Sequence, residues 1–120
     1  MIKNAQTLVA EAKKNIHEIT VNEADAALKA ADIIIDVREP AEYQAGHVPG
    51  AVNIPRGLLE FKLGEIPELN SAQARIVMYC KTDGRCALAA QTLQDMGYQQ
   101  VQSIAGGINA WIDAGKPIEL

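Results

Sequence analysis

The chain is poor in aromatic rings, cysteine and histidine, and has no long hydrophobic run. Its 120 residues include one Phe, one Trp and three Tyr, so aliphatic side chains must build the core. Two cysteines, Cys80 and Cys86, are too few for the disulfide framework of a small secreted domain. Together with His17 and His47 they do not match a zinc site, and the C-x-x-C redox spacing is missing, so we expect no metal and no cofactor. The net charge of −4 comes without a basic stripe, which argues against nucleic acid as a partner. No apolar stretch is long enough to span a bilayer, and membrane association is not expected. The first residues, Met1 to Lys14, carry charges at both ends and no apolar run of signal length, which makes a cytoplasmic location the default expectation. Linkers, low-complexity tracts and internal repeats are missing too, and the length suits one domain.

What is present is an alternation of two periodicities. Leu8, Val9 and Ala12 stand at helical spacing within residues 4–14. His17 to Val21 reads as a first strand, and Thr20 or Asn22 can cap a helix through Ala31. Ile33 to Val37 is a largely β-branched run that suits a strand buried on both faces. Pro40 opens a helical turn through Gln44, and Ala51 to Ile54 forms a brief third strand before Pro55. Residues 56–69 are helical in part, broken near Pro67. Strands follow at 75–79 and 100–104, separated by a helix from Cys86 to Met96, and Gly106-Gly107 precedes a last helix through Trp111. Strands alternating with helices predict an α/β fold, a parallel sheet covered on both faces. Ligands bind such sheets beyond the carboxyl ends of the strands. Cys80 lies at one of those ends, and Asp36 to Arg38 leave another strand at the same edge.

The segment Ile76-Val-Met-Tyr-Cys80-Lys-Thr-Asp-Gly-Arg-Cys86 carries the chemistry. A buried strand ends at a cysteine, a short polar loop follows, and a helix begins. A loop curling around Cys80 would aim the amides of Lys81, Thr82, Asp83, Gly84 and Arg85 at its sulfur, with a helix N-terminus beside it. Gly84 can take a positive φ to help the curl close. Lys81 and Arg85 add positive charge, and Asp83 is expected to point outward. A thiol in such a hollow should ionise more readily than a free one, and the thiolate is the reactive form. The competing reading of the same residues is a cysteine that merely ends a buried strand and packs there. His47, in a tight Gly-His-Val-Pro-Gly turn, and His17 are read as structural, and no cysteine-protease triad is evident.

Three blocks make the chain resemble the rhodanese (sulfurtransferase) family. They are Ile35-Asp-Val-Arg-Glu-Pro-Ala-Glu-Tyr-Gln-Ala-Gly-His-Val-Pro-Gly-Ala-Val-Asn-Ile-Pro55, the Cys80 to Cys86 loop with its strand, and Met96-Gly-Tyr98 with Ala105-Gly-Gly-Ile-Asn-Ala-Trp111. The resemblance covers residues 17–118, with residues 1–16 as a helical extension ahead of a rhodanese-like domain over 17–120. It implies a five-stranded parallel sheet flanked by helices on both faces. It also implies that Cys80 takes sulfur from a donor such as thiosulfate, becomes a persulfide, and passes the sulfur to cyanide or a thiol. The partners implied are a small sulfur-containing anion and a thiol or protein sulfur acceptor. Lys81, Thr82, Asp83, Gly84, Arg85 and Cys86 would bind the substrate, and Arg56 would reach the pocket rim or face solvent. Asp36 and Arg38 would be structural, Arg38 pairing with Glu42 and Asp36 accepting backbone N–H bonds. Trp111 would pack the last helix onto the sheet. Family loops often carry glycine where this chain has Asp83, and serine or threonine where it has Cys86. That second thiol raises a further expectation, that Cys86 resolves the persulfide as a Cys80–Cys86 disulfide, against a plain packing role.

Two other functions share the fold. A phosphatase or arsenate reductase is one, but those enzymes carry five residues between cysteine and arginine, whereas here only Lys81 to Gly84 intervene. The other is a non-catalytic partner-binding module, as in rhodanese-like domains that lack the cysteine.

Overall fold

The computed structural model describes all 120 residues. Five strands, β1 (His17–Ile19), β2 (Ile33–Asp36), β3 (Val52–Asn53), β4 (Arg75–Tyr79) and β5 (Gln100–Ile104), form one sheet in the order β1-β5-β4-β2-β3. Every pairing is parallel, so all carboxyl ends lie along one edge. Six helices accompany them: α1 (Ala5–Lys13), α2 (Val21–Ala30), α3 (Pro40–Gln44), α4 (Leu59–Leu63), α5 (Gly84–Asp95) and α6 (Gly107–Asp113). This is the five-stranded α/β architecture expected from the sequence. No helix is long and apolar enough to cross a membrane.

The two-residue period of β4 divides the core. Ile76, Met78 and then Cys80 face one side, where Leu59 and Leu63 of α4 and Ala89, Ala90 and Leu93 of α5 cover them. Val77 and Tyr79 face the other side, against Ala24 of α2 and Ile108 and Trp111 of α6. Small residues on α5 let its axis approach the sheet closely. Trp111 is buried and donates its indole N–H to the Pro117 carbonyl at 2.7 Å, which fixes the chain beyond α6. α1 packs on α5, where Asn15 donates to the Gln91 side chain at 2.9 Å.

Two element boundaries differ from those expected. β1 stops at Ile19 because the Thr20 amide donates to the Glu23 carboxylate at 2.9 Å, and α2 begins at Val21. α5 begins at Gly84, not at Cys86, with Ala87 N–H donating to the Asp83 carbonyl at 2.8 Å as an early helical bond. Gly84 therefore has a helical rather than a positive φ, and the loop proper is only Lys81 to Asp83.

Candidate active site

The early start of α5 determines where amides point. The first four N–H groups of a helix have no intrahelical partner, and the helix dipole makes that end electropositive. In this chain the amides of Cys86, Thr82 and Arg85 are directed at the Cys80 sulfur, and the Arg85 charge adds to them. Cys80 itself is buried, about 1% exposed. Burial raises its thiol above the ordinary value, and the three amides and Arg85 pull it back only in part. The burial that the competing reading of Cys80 anticipated is thus present together with the amides. Of the five amides expected at the sulfur, those of Thr82 and Arg85 are directed there, joined by that of Cys86, and the readier ionisation expected from them is not present.

The loop is held in that shape from outside. The Ile108 amide donates to the Cys80 carbonyl at 2.9 Å and the Asn109 amide to the Lys81 carbonyl at 3.2 Å. Gly107, at φ +57°, lies directly beneath them; a Cβ there would meet the Cys80 carbonyl oxygen and come within 2.7 Å of the Lys81 and Thr82 oxygens. With the Lys81 carbonyl drawn toward α6, the same peptide plane turns the Thr82 N–H the other way, toward the sulfur. Asp83 adds a second tie. Its carboxylate accepts the Gly106 amide at 2.9 Å and lies 3.3 Å from the Lys13 ammonium of α1. The side chain expected to point outward thus links the loop to α6 and to α1.

Charge at the mouth is set by Arg85, which makes two hydrogen bonds to Glu42 of α3, at 2.6 and 3.1 Å. The Arg85 guanidinium is the main reason the Glu42 carboxyl titrates at about 2. Glu42 therefore pairs with Arg85 and not, as expected, with Arg38. Arg38 pairs with Asp36 instead, at 2.7 Å, and both are buried. Asp36 also accepts the Arg38 amide at 2.9 Å, and the Arg38 guanidinium donates to the Gly46 carbonyl at 2.7 Å, which ties the end of β2 to the end of α3. Arg56 does not join this group. Its guanidinium binds Glu60 and the Thr92 hydroxyl, further along α5 than Cys86. Cys86 is fully buried and its sulfur lies 3.0 Å from the Ser103 hydroxyl, turned toward β5. Burial pushes that thiol up strongly, which makes it a poor nucleophile where it stands. His47 stacks on Tyr43 with ring centres 3.8 Å apart and bonds the Tyr43 carbonyl through Nδ1, while His17 stands at the far, amino-terminal side of the sheet on β1.

The Glu42–Arg85 pair gives a pH signature. A carboxyl held below its ordinary value of 4.5 contributes stability above that pH and loses it as pH falls toward about 2. Glu42→Gln should therefore flatten the acid limb of a urea-midpoint profile across that interval. About a third of each side chain is exposed, so added salt should weaken the effect. An unchanged acid limb would show that the pair contributes nothing to folding.

The fold, the amide ring around a cysteine at a strand end, and the clamp beneath it define a class. The chain belongs to the rhodanese-like domain family, whose model matches residues 20–114. It is 34% identical over 105 residues to a sulfurtransferase of Allochromatium vinosum, covering 82% of this chain and 94% of that protein. Among solved structures it resembles a Rhodopseudomonas palustris protein of unknown function described as a possible tyrosine phosphatase. That match has a TM-score of 0.89 and 38% identity, over 99% of this chain and 96% of the other. It also superposes on a thiosulfate sulfurtransferase of Pseudomonas aeruginosa with a TM-score of 0.80 and 26% identity, over 96% of this chain and 22% of that one. Family membership and a sulfurtransferase among the relatives support a sulfurtransferase type of activity.

Sequence reasoning missed three contributors: the Gly106-Gly107 clamp, Glu42 as partner of Arg85, and Lys13 as partner of Asp83. The paired glycines were the available signal, since two in succession permit a close backbone approach as well as a turn.

Proposed function

We propose that the protein is a sulfurtransferase that carries sulfane sulfur on Cys80. The observation that supports this most is the aim of the Thr82, Arg85 and Cys86 amides at the Cys80 sulfur. In the first step the Cys80 thiolate attacks the outer sulfur of thiosulfate, the sulfur–sulfur bond of the donor breaks, and sulfite leaves with the bonding pair. The outer sulfur remains on Cys80 as a persulfide, whose negative charge develops nearer the loop mouth. The amides and Arg85 stabilise charge there without reorganising. In the second step an acceptor thiolate or cyanide removes the sulfur and Cys80 returns as a thiolate. An organic or protein persulfide fits the donor role equally. No histidine stands beside Cys80, so its proton must leave to solvent or to the acceptor. A cytoplasmic setting, where thiols stay reduced, suits two unpaired cysteines. Residues 1–16 act as an extension whose helix braces α5 and, through Lys13, the loop.

The test is mass spectrometry of the protein after incubation with thiosulfate. Cys80 should gain the mass of one sulfur, reversed by cyanide, and Cys80→Ser should gain nothing. No adduct with any sulfane-sulfur donor would sink this reading in favour of a binding module. The likeness to the Rhodopseudomonas palustris protein, a possible tyrosine phosphatase, makes a phosphatase the second reading. Four residues between Cys80 and Arg85 form a ring tighter than a tetrahedral phosphate needs, and Cys80-dependent hydrolysis of an aryl phosphate would revive that reading.

A further inference from the structure

Asp83 stands at the N-cap of α5 and does not cap it. A capping aspartate is extended and folds its carboxylate over the amides two or three residues on. Asn4 and Thr20, at the same place before α1 and α2, follow that rule. Both are extended, with ψ of 174° and 163°, and the Asn4 side chain accepts the Thr7 amide at 2.8 Å. Asp83 instead has φ −131° and ψ −31° and makes no cap bond. The amides it leaves free are those of Arg85 and Cys86, and both are directed at the Cys80 sulfur. The carboxylate and the sulfur therefore compete for the same two donors at an electropositive helix end. Two contacts draw the carboxylate away. One oxygen accepts the Gly106 amide at 2.9 Å, and the other lies 3.3 Å from the Lys13 ammonium, which Glu18 of β1 also approaches at 3.7 Å. Lys13 belongs to the last turn of α1, ahead of the matched residues 20–114. Buried Ala12 and the Asn15–Gln91 bond seat that helix on α5, so packing sets where the ammonium stands.

We propose that Lys13 is a positioning residue for Cys80: it holds the Asp83 carboxylate off the start of α5 and so keeps the Arg85 and Cys86 amides for the sulfur. The inference rests on the sulfur-transfer reading and adds to it a residue from the helical extension. Without the ammonium, Asp83 turns to the extended conformation and its carboxylate takes the two amides. The Cys80 thiolate and persulfide then lose the donors that stabilise their charge. A cap bond and a partly exposed ion pair are of similar strength, so removing the pair shifts the balance by less than a factor of ten.

The experiment measures two rates in the full chain by mass spectrometry of the Cys80 peptide. One is single-turnover loading by thiosulfate; the other is alkylation by iodoacetamide, which needs no sulfur transfer. Lys13→Met should slow both about fivefold without lowering the urea midpoint, since α5 gains a cap. Second changes at Asp83 separate the causes, because asparagine caps a helix about as well as aspartate and alanine does not. Added to Lys13→Met, Asp83→Ala should speed both rates at least threefold, and Asp83→Asn should leave them slow. Recovery by both changes would assign the effect to charge alone. Recovery by neither, or a urea midpoint that falls in step with the rates, would make Lys13 a brace only. Parent-like rates in Lys13→Met would remove any role for it. Each of these outcomes overturns the proposal. A parent protein that loads no sulfur from any donor would overturn sulfur transfer instead, and the alkylation rates would still decide whether Lys13 governs the amides.

Discussion

Gly107→Ala should abolish most of the sulfur-loading activity while leaving much of the chain folded. The new methyl group would be driven into the Cys80 carbonyl oxygen and to within 2.7 Å of the Lys81 and Thr82 oxygens. All three obstacles are backbone, so no side-chain rotation relieves the clash. The φ of +57° adds a penalty of about 1–2 kcal/mol for any residue with a Cβ. The loop must retreat from α6, breaking the bonds from Ile108 and Asn109 that hold its carbonyls down. The peptide planes then rotate and the amides lose their aim at the sulfur. A displacement of about 1 Å costs on the order of a hundredfold in rate when geometry carries the catalysis. We expect that loss in the rate of persulfide formation, with stability lower by roughly 2–4 kcal/mol from the strain and the two lost bonds. Single-turnover loading together with urea unfolding measures both. Normal loading in Gly107→Ala would mean that the loop does not depend on this contact.

Arg38→Met should produce the larger loss of stability. It leaves the Asp36 carboxylate fully buried at the end of β2, without a cation and with only the backbone amide of residue 38 and the Tyr79 hydroxyl as donors to its side chain. Removing one partner of a buried pair costs about 3–5 kcal/mol, because the remaining charge is neither solvated nor compensated. The Gly46 carbonyl, which accepts from Arg38 at 2.7 Å, also loses its bond. That bond anchors the end of α3, and α3 carries Glu42 to Arg85. Removing both charges, as in Asp36→Asn with Arg38→Met, should recover much of the stability, since no buried charge is left unpaired. A double-mutant cycle by urea unfolding therefore separates the cost of an orphaned charge from the net worth of the pair. A fully additive cycle would contradict the coupling drawn from the geometry.

Much of this was legible in the residues. The β-branched run Ile33-Ile-Ile and the continuous apolar run Ile76 to Tyr79 are strand patterns, and the polar residues after Cys80 mark a loop there, though its end at Gly84 rather than Cys86 was not legible. Periodicity is a local property, and five such strands separated by helices leave a parallel sheet as the natural arrangement. The residues at its carboxyl edge follow from chain direction alone.

Partnerships were not legible, because they join residues far apart in the sequence. Glu42 was expected to pair with Arg38, close to it in the chain, and only the placement of α3 beside the start of α5 gave it Arg85 instead. Asp83 read as an outward-facing charge until α6 and α1 brought Gly106 and Lys13 to its two oxygens. The state of the Cys80 thiol was decided the same way. Its amides belong to neighbouring residues and could be anticipated, whereas its burial depends on α4 and α5 closing over the sheet. Local sequence determined which elements form and where Cys80 lies along them. Tertiary packing decided which charges meet and how dry the sulfur is, since solvation and ion pairing depend on distance in space and not along the chain.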